Sequence, residues 1–399
     1  MKCLRKVTDD LFWIGASDRR LSLFENVFPI PRGVSYNSYL LLDEKTVLLD
    51  TVDLSVSRQF YENLTYLLDG KTLDYLIVNH MEPDHCANIE DLTRRYPDIK
   101  IVGNAKTMSM IKQFFDFDID KNAVVIAEGD ELNVGKHTLQ FFMAPMVHWP
   151  EAMVTYEKTK KILFSADGFG TFGALNGNIF NDEIDFDKDW LDDARRYYTN
   201  IVGKYGPQVQ SLLKKASTLD IEMICPLHGP IWRNNLSYII EKYDKWSKYE
   251  PEDNDIMIVY GSMYGNTENV ANLLATSLAE KGIKNIKVYD ASNVHVSYLV
   301  SEAFCHKNIV VAAPTYNGGI FQPIENFLLD LKAHNLQNRT FALIENGTWA
   351  PLMCKQMGEI LSSMKNINIL DNKVTIKSSI KDNQLNDIEE LANALLKSL

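Results

Sequence analysis

A ten-residue stretch, NHMEPDHCAN from Asn79 to Asn88, concentrates side chains that bind metal ions: His80, Glu82, Asp84 and His85. The apolar run before it, YLIVNH, predicts a buried strand. Alternate side chains just beyond a strand can converge on one point, and Pro83 argues against a regular helix across the motif. Buried carboxylates are costly without a partner, so the stretch predicts a metal site; a solvated polar turn is the alternative.

Three later segments repeat this order of an apolar strand followed by a ligand type. LQFFMAPMVHW contributes His148, KILFSAD contributes Asp167, and IEMICPLH contributes His228. The resulting seven candidates are too many for one tetrahedral zinc, so we expect two metals with one bridging carboxylate. Two neighbours are predicted to be outside the site: His137, in the polar turn NVGKHTLQF, as a surface residue, and Cys86 as a packed thiol.

The order and spacing of these ligands resembles the metallo-β-lactamase superfamily, whose αββα sandwich carries its metals at strand ends. The hydrolases of that superfamily have His-x-His-x-Asp-His, whereas Glu82 occupies the second position here. A carboxylate in place of an imidazole favours iron over zinc. The motif GFGTFG after Asp167 is rejected as a dinucleotide site because no helix is predicted to follow it. Its glycines are expected to let that loop pass close to the metals.

The elements that must position these residues divide the chain into two domains, 1–250 and 251–399. Strand-like runs from residue 8 to about 55 predict a meander, and the strand pairs and helices that follow fit two sheets covered by helices. The polar run YEPEDND marks the boundary. Beyond it strands and helices alternate, which predicts an α/β doubly wound parallel sheet. KVYDA and NIVVAAP are predicted as successive strands there, and no histidine of this part has ligand-like surroundings.

A second set of motifs lies at predicted strand ends of the C-terminal domain. SMYGNTENVANLL opens a helix with hydroxyl and N–H groups that can hold an anion, and it resembles the phosphate loop of flavodoxins. AAPTYNGG and ENGTWAP fit the close approach of a planar ring, with Trp349 facing the flavin rather than the core. The predicted FMN-binding residues are Ser262, Met263, Tyr264, Gly265, Asn266, Thr267, Pro314, Thr315, Tyr316, Asn317, Gly318, Asn346, Gly347, Thr348 and Trp349.

With both motif sets in this order, nearly the whole chain resembles the flavodiiron protein family, also called A-type flavoproteins or rubredoxin:oxygen oxidoreductases. The resemblance implies reduction of O2 to water, of NO to N2O, or of both, at a non-haem di-iron site. It implies that FMN relays electrons from a donor such as rubredoxin, in a head-to-tail homodimer or a dimer of such dimers. By the same resemblance one iron is held by His80, Glu82 and His148, the other by Asp84, His85 and His228, and Asp167 bridges them.

The resemblance also places Tyr197 and Tyr198 near the irons, where one would donate a hydrogen bond to the bound gas; packing within a helix is the alternative for both. The segment PRGVSYNSY lacks a histidine that some family members carry there, so the preference between O2 and NO stays open. Two rival functions remain. A binuclear metallohydrolase with a regulatory flavodoxin domain is disfavoured by Glu82, and a non-enzymatic electron carrier is disfavoured by the complete ligand set.

Composition excludes several other classes. The net charge of −12 disfavours binding to nucleic acid or anionic membranes. We find no bilayer-length apolar stretch and no signal-peptide core, and the five scattered cysteines include no C-x-x-C, so we expect a cytoplasmic protein without disulfides or an iron–sulfur cluster. Since the sequence shows neither an NAD-binding motif nor a fused rubredoxin, we expect electrons to arrive from a separate protein.

Overall fold

The computed structural model describes residues 2–399. These residues divide into two compact units. The first comprises the chain up to Tyr198 together with Pro207–Asp244, and the second comprises Thr199–Gly206 and Lys245–Leu399. The sequence pattern gave no reason to expect that Thr199–Gly206 belongs with the C-terminal unit.

Two sheets form the first unit. Their orders are β1-β2-β7-β8-β9-β10-β11 and β12-β13-β14-β15-β16, and β3 with β6 and β4 with β5 form two small ribbons. The antiparallel pairs β2–β7 and β7–β8 form the predicted meander. The strands are β1 (Arg5–Lys6), β2 (Leu11–Trp13), β3 (Ala16–Asp18), β4 (Leu23–Phe24), β5 (Phe28–Pro29), β6 (Val34–Tyr36), β7 (Tyr39–Leu42), β8 (Thr46–Leu49), β9 (Tyr75–Ile77), β10 (Lys100–Gly103), β11 (Ala123–Val125), β12 (Glu131–Asn133), β13 (Thr138–Met143), β14 (Met153–Glu157), β15 (Ile162–Phe164) and β16 (Met223–Cys225).

The two sheets pack face to face, because Leu41 and Ile77 of one and Phe141 and Phe164 of the other belong to one buried cluster. Helices carry apolar residues at the spacing that buries one face. The helices are α1 (Ser57–Leu68), α2 (Pro83–Cys86), α3 (Ile89–Arg95), α4 (Ala105–Phe114), α5 (Phe186–Asp189), α6 (Leu191–Tyr197), α7 (Gly206–Ala216) and α8 (Leu236–Ser247). Single turns of 3-10 helix lie at Leu54–Val56, Ile119–Lys121, Asn181–Glu183, Gly203–Tyr205 and Asp382–Gln384, and a π-helical turn at Tyr198–Val202.

Strand direction brings the predicted ligand loops to common edges. β8, β9 and β10 run parallel, so the loops after β8 and β9 leave the first sheet together. In the second sheet β13 and β15 are both antiparallel to β14, and β16 is parallel to β15. The loops after β13, β15 and β16, which carry His148, Asp167 and His228, therefore leave the second sheet at one edge.

The second unit is a parallel sheet with the order β18-β17-β19-β21, continued by β22 and β23 along β21. This is the flavodoxin-like order 2-1-3-4-5. Adjacent residues of β17 belong to different cores, Met257 to one and Ile258 to the other, so helices cover both faces. The elements are β17 (Asp253–Tyr260), α9 (Asn266–Glu280), β18 (Lys287–Asp290), α10 (Val296–Cys305), β19 (His306–Tyr316), β20 (Gly319–Ile320), α11 (Gln322–Ala333), β21 (Arg339–Asn346), α12 (Met353–Ser362), β22 (Ile367–Ile369), β23 (Val374–Ile376) and α13 (Leu385–Ser398).

The prediction of successive strands after KVYDA was wrong, because α10 lies between them. Its sequence, VSYLVSEAFC, is largely apolar and contains β-branched valines. Leu299, Val300, Ala303 and Phe304 are all buried. A short apolar run of that kind resembles a strand when its periodicity is weak. A crossover between parallel strands nevertheless requires a connection of helix length. Among residues 2–399, none of the helices combines the length and apolarity that crossing a membrane requires.

Candidate metal centre and cofactor cavity

The opening motif combines an extended segment with one helical turn. β9 ends at Ile77, a non-helical segment with His80 and Glu82 follows, and α2 begins at Pro83. As expected, no regular helix runs across the motif. Pro83 instead begins a single helical turn, because proline at the first helical position lacks only an N–H that would have no helical partner. Asp84 and His85 therefore lie on the first turn of α2.

The first group of ligand atoms comes from three loops. Oε2 of Glu82 lies 3.0 Å from Nε2 of His148 and 3.3 Å from Nε2 of His80. Oδ2 of Asp167 lies 3.1 Å from Nε2 of His148 and 3.4 Å from Nε2 of His80. One atom from each of these four residues thus lies within 4.8 Å of the others, which is compact enough for one metal ion.

The second group consists of Asp84, His85 and His228. Nε2 of His85 and Nε2 of His228 lie 3.1 Å apart, and Oδ2 of Asp84 lies 3.3 Å from each of them. Oδ1 of Asp167 lies 3.2 Å from Nε2 of His85 and 3.6 Å from Nε2 of His228. The structure therefore brings all seven predicted ligands together, with Asp167 offering a different oxygen to each group.

Unpaired buried atoms test whether these residues fit a metal pair. Both oxygens of Asp84, Oδ1 of Asp167 and Nδ1 of His85 have no hydrogen-bond partner among the described residues. Buried polar atoms almost always have partners, so cations are the missing partners of these carboxylates. Ligands bound at about 2.0–2.2 Å from an ion are roughly 3 Å apart, which is the spacing observed. Two sets of imidazoles and carboxylates that share one carboxylate fit a di-iron centre.

The electrostatics of the cluster are those of tightly paired charges. Burial opposes ionisation of Asp167, but His80, His85 and His148 hold the pKa of that carboxyl well below its usual range. Burial also opposes protonation of His148, yet its contacts with Asp167 and Glu82 raise the pKa of that imidazole to about 9. In the same way the pKa of His80 is raised well above its ordinary value. Without a cation His80 and His148 therefore keep their protons, and a metal must displace them.

A buried network that sequence reasoning missed supports the backbone of the motif. Asp50, directly after β8, accepts hydrogen bonds from N of Asn79 at 2.7 Å, from Nδ2 of Asn79 at 2.7 Å and from N of His80 at 3.2 Å. Oγ1 of Thr155 donates to Oδ1 of Asn79 at 2.7 Å. The signal for Asp50 was present in the sequence, since it too follows an apolar strand, in KTVLLDTV.

The loop that carries Asp167 is held in an unfavourable conformation. Ala166 has φ 50°, which costs an alanine about 1–3 kcal/mol, and its carbonyl accepts from N of Leu227 at 2.9 Å. That bond joins the Asp167 loop to the loop that carries His228. As predicted, no helix follows GFGTFG. A Cβ on Gly170 would lie 3.1 Å from Cε1 of Tyr197, so the glycine lets this ring pack against the loop.

The two predicted tyrosines have different surroundings. Tyr197 is fully buried, its ring centroid lies 5.4 Å from that of His228, and its hydroxyl has no partner among the described residues. Burial, and then the charges of Asp167 and Asp84, raise the pKa of Tyr197 well above its ordinary value, so the hydroxyl keeps its proton. Tyr198 instead packs against Tyr243, with ring centroids 4.9 Å apart. Of the two, Tyr197 is therefore the one beside the ligand groups.

A cavity of about 340 Å³ adjoins both ligand groups, since Glu82 from the first and Asp84 from the second line it. Leu23, Phe24 and Tyr36 supply apolar wall. Glu25, which sequence reasoning missed, also lines the cavity; much of the residue is exposed, but burial of its carboxyl group and the charge of Glu82 raise the pKa of Glu25 to about 8. The cavity gives a small molecule access to both groups.

Predictions for three residues outside the ligand set had mixed outcomes. His137 is not a surface residue: it is 2% exposed, with Nε2 2.8 Å from Asp10 and Nδ1 2.9 Å from Glu157. The view that no histidine beyond residue 250 has ligand-like surroundings was also wrong, because His306 lies with Asp253 and Cys305 in a compact group. Cys86 is a packed thiol as predicted, since it is buried and contacts the carbonyl of Met81 at 3.1 Å.

A second cavity, of about 390 Å³, lies at the carboxyl ends of β17, β19 and β21 in the C-terminal unit. None of the described residues that line it carries a charge, so an anion there meets hydroxyls, amides and N–H groups at the start of α9 without repulsion. Gly265 precedes that helix with φ 85°, a conformation that glycine adopts without strain. Trp349 is 90% exposed rather than a core residue. The lining residues are Ser262, Met263, Tyr264, Asn266, Thr267, Pro314, Thr315, Asn317, Gly318, Asn346, Gly347, Thr348, Trp349, Ala350 and Ser378.

Of the predicted FMN-binding residues, Gly265 and Tyr316 do not line this cavity, and Ala350 and Ser378 line it without having been predicted. Ser378 is linked to the predicted set, since its N donates to Oδ1 of Asn346 at 3.1 Å and its hydroxyl lies 3.0 Å from that of Thr348. It belongs to a segment after β23 that has no motif of its own, so only the fold brings it to the cavity.

Comparison with known proteins finds relatives of both units. The family described as "ODP family beta lactamase" matches residues 34–229, and "Flavodoxin" matches residues 258–368. An uncharacterized protein of Methanocaldococcus jannaschii is 31% identical over 98% of this chain and 97% of its own length. An anaerobic nitric oxide reductase flavorubredoxin of Escherichia coli is 31% identical over 86% of this chain and 72% of its own length.

Solved structures extend the likeness to the complete fold. The rubredoxin oxygen:oxidoreductase of Desulfovibrio gigas has a TM-score of 0.91 and 28% identity, covering 99% of this chain and 98% of that one. A mutant flavo di-iron protein from Thermotoga maritima has a TM-score of 0.89 and 27% identity with the same coverage.

Proposed function

This chain belongs to the flavodiiron protein family, and from that premise we propose that it reduces O2 to water, NO to N2O, or both. As a member it is an oxidoreductase that uses FMN and a di-iron centre. The proposal depends most on Asp167, whose two oxygens face two separate groups of imidazole and carboxylate ligands. The two names among the relatives support the two gases, one being a nitric oxide reductase and the other an oxygen oxidoreductase.

In this proposal His80, Glu82 and His148 would hold one iron, Asp84, His85 and His228 would hold the other, and Asp167 would offer one oxygen to each. When bound, the iron pair would supply two electrons and reduced FMN two more, which together meet the four-electron requirement of O2. The residues of the chain fix the spacing of the ions and exclude competing cations by their mixture of imidazole and carboxylate donors.

The cavity beside the ligand groups is the proposed substrate chamber. Its apolar wall of Leu23, Phe24 and Tyr36 suits an uncharged diatomic gas, and its floor includes one carboxylate from each ligand group. Tyr197 lies beside His228 and not among the residues that line this cavity. We propose that it donates a hydrogen bond to gas that reaches the ligand groups, because its buried hydroxyl keeps its proton and lacks a partner among the described residues.

We propose that the uncharged cavity of the C-terminal unit holds FMN, with the phosphate at the start of α9 and Trp349 against the ring system. Electrons would come from rubredoxin or a similar small redox protein, in line with the names of two relatives. A cytoplasmic location and a head-to-tail homodimer, in which the FMN of one subunit serves the irons of the other, complete the proposal.

The direct test is turnover of the purified full-length chain with reduced rubredoxin in an anaerobic cell to which either O2 or NO is added. Consumption of each gas is measured separately, alongside iron, zinc and FMN content. We expect two irons and one FMN per chain and rapid loss of at least one gas. Tyr197→Phe should slow the loss of gas without changing iron content. Tyr198→Phe, its matched control, should change neither the rate of gas loss nor the iron content. Two zincs with hydrolysis of a thioester and no flavin reduction would instead establish the metallohydrolase alternative.

The dimer arrangement is tested by complementation. Asp167→Asn should disable the metal site, and Asn266→Glu should repel the FMN phosphate at the exposed first residue of α9. Each variant alone should be inactive. In a head-to-tail dimer a mixture of the two, after subunit exchange, regains activity, because the FMN of one chain meets the intact irons of the other. No recovery in a mixture shown to contain heterodimers would exclude transfer between subunits.

A further inference from the structure

The two ligand groups proposed to hold iron are chemically matched. Each offers two imidazoles, one carboxylate of its own and one oxygen of Asp167. The identity of the ligands therefore gives the two ions no reason to differ. A difference between them has to come from the residues that contact the ligands from behind.

The far ring nitrogens of three ligands meet different partners. Nδ1 of His80 lies 2.9 Å from Oε1 of Glu151. Nδ1 of His228 donates to the main-chain oxygen of Ser35 at 2.7 Å. Nδ1 of His85 has no hydrogen-bond partner among the described residues. Of these three rings, only that of His80 has an anionic acceptor at Nδ1, the nitrogen that faces away from the ligand group.

Glu151 is held firmly in this position. Its Oε1 also accepts a hydrogen bond from N of Met81 at 2.8 Å, so the ligand loop itself fixes the carboxylate. The residue is 1% exposed, and its main-chain oxygen accepts from Nδ2 of Asn104 at 2.7 Å. The carboxylate and the ring of His80 are thus locked together within one buried network.

We infer that Glu151 is a positioning residue that makes the two metal sites unequal, so that the ion held by His80, Glu82 and His148 binds more tightly and has the lower reduction potential. A carboxylate attracts the ring proton more strongly than a carbonyl does, which makes Nε2 of His80 the stronger donor to the metal. Stronger donation stabilises the more highly charged ion. The inference rests on the proposed function only for the identity of the ions.

The first experiment is a reductive titration of the iron-loaded full-length chain, with the singly reduced form measured by electron paramagnetic resonance. Glu151→Gln keeps the shape of the side chain and removes its charge. We expect this variant to accumulate at most half as much singly reduced form as the wild type, because the two potentials move together. Unchanged accumulation with two irons bound would overturn the inference.

Glu157→Gln is a closely matched control. Glu157 is likewise a buried glutamate, 2% exposed, and its Oε1 lies 2.9 Å from Nδ1 of His137, which is not among the predicted ligands. This variant loses the same kind of Glu–His pair in the same unit, so it measures the general effect of that loss. We expect it to accumulate the singly reduced form like the wild type.

The second experiment does not use turnover or iron. The full-length chain is stripped of metal, given one equivalent of Co(II), and the occupied site is located by anomalous diffraction. Residues behind a ligand typically change metal affinity by about 10–100-fold, so the wild type should fill the His80 site with at least about tenfold preference. Glu151→Gln should lose this preference, and Glu151→Asp, which keeps the charge, should restore part of it.

A wild type that fills the Asp84 site first overturns the inference even if Glu151→Gln cannot be folded. The outcomes also separate this inference from the proposed function. A strong preference for the His80 site in a protein that consumes neither O2 nor NO would refute the proposed function alone. Rapid gas consumption with evenly filled sites would refute only the inference about Glu151.

Discussion

Two groups of histidine and carboxylate in this chain have similar compositions and different hydrogen bonding. In the N-terminal unit, Asp84 and Asp167 face imidazoles at 3.1–3.6 Å while three of their oxygens lack hydrogen-bond partners among the described residues. In the C-terminal unit, Nδ1 of His306 lies 2.8 Å from Oδ1 of Asp253, and its Nε2 lies 3.2 Å from Oε2 of Glu302. Each nitrogen of the His306 ring therefore has a carboxylate of its own.

Fixed positive charge completes the second group. Arg339 is buried, donates to the main-chain oxygens of Ala303 at 2.9 Å and Phe304 at 2.6 Å, and lies close enough to Cys305 and Asp253 for their charges to affect it. Burial lowers the pKa of its guanidinium to about 9, so it stays charged at neutral pH. Ligand types within a few ångströms of one another therefore do not define a metal site. Several buried carboxylate oxygens that lack donors and lie round imidazoles from different loops indicate one.

The largest expected effect follows from removing the carboxylate that both ligand groups share. Asp167→Asn takes one anionic oxygen from each group, so we expect iron content to fall below two per chain and gas turnover to fall by more than about 100-fold, beyond the 10–100-fold typical of residues behind a ligand. Iron analysis and rubredoxin-coupled turnover measure this. Asp253→Asn is the control from the other group and should keep both irons; loss of iron there would contradict the distinction drawn between the two groups.

Proton competition should give a smaller effect that is also specific to the first group. The pKa of His148 is raised to about 9, so in the metal-free protein this imidazole is protonated at pH 7 and must lose its proton to bind iron. Apparent Fe(II) affinity should therefore rise about tenfold per pH unit for each displaced proton up to about pH 9. Competition with a chelator at several pH values measures the slope.

His137→Gln is the matched control for that slope. His137 is also buried against carboxylates that raise its pKa, but it is not among the predicted ligands. The variant should bind iron with the pH dependence of the wild type. An affinity that does not change with pH in the wild type would mean that the imidazoles are not protonated in the metal-free cluster.

The sequence predicted the ligands better than it predicted what holds them. Each of the seven predicted ligands follows an apolar strand, and the sheets bring these strand ends together, so local pattern was sufficient to predict that the seven side chains meet. Glu151 contacts His80 across 71 residues, and Asp50 contacts Asn79 across 29, which no local pattern encodes. His137 was misjudged for the same reason: its turn is polar, but Asp10, just before β2, and Glu157, at the end of β14, come from other parts of the chain to pair with it.

The fold shows the same limit. The alternation of strands and helices in the C-terminal unit was clear from the sequence, because its central strands are buried on both faces and its surface helices are amphipathic. α10 was missed because it is only ten residues long, Val296–Cys305, and most of its residues are buried, so its sequence resembles that of a buried strand. The requirement for a crossover between parallel strands would have predicted it, since that rule depends on topology and not on periodicity.

A change of stability with pH should distinguish the second group. Burial opposes protonation of His306, but Asp253 and its other contacts raise the pKa of that imidazole to about 11 from an ordinary value of 6.5. The folded state therefore binds one proton more than the unfolded state between these values, and the free energy of unfolding should decrease as pH rises from about 6.5 towards 11. His306→Gln should flatten this dependence in urea unfolding, whereas equal slopes in the two proteins would show that the pair does not stabilise the fold.

The smallest expected effect is the most direct challenge to the comparison. Sγ of Cys305 lies 3.6 Å from Oδ2 of Asp253, so a third metal would have a thiolate, an imidazole and a carboxylate available. Because both oxygens of Asp253 and both nitrogens of His306 already have hydrogen-bond partners, and Arg339 supplies positive charge nearby, we expect zinc titration of the full-length chain to saturate at two equivalents. Cys305→Ser should leave that number unchanged. A third equivalent in the wild type that disappears in Cys305→Ser would show that satisfied hydrogen bonds do not prevent metal binding, and the criterion of unpaired acceptors would have to be abandoned for both groups.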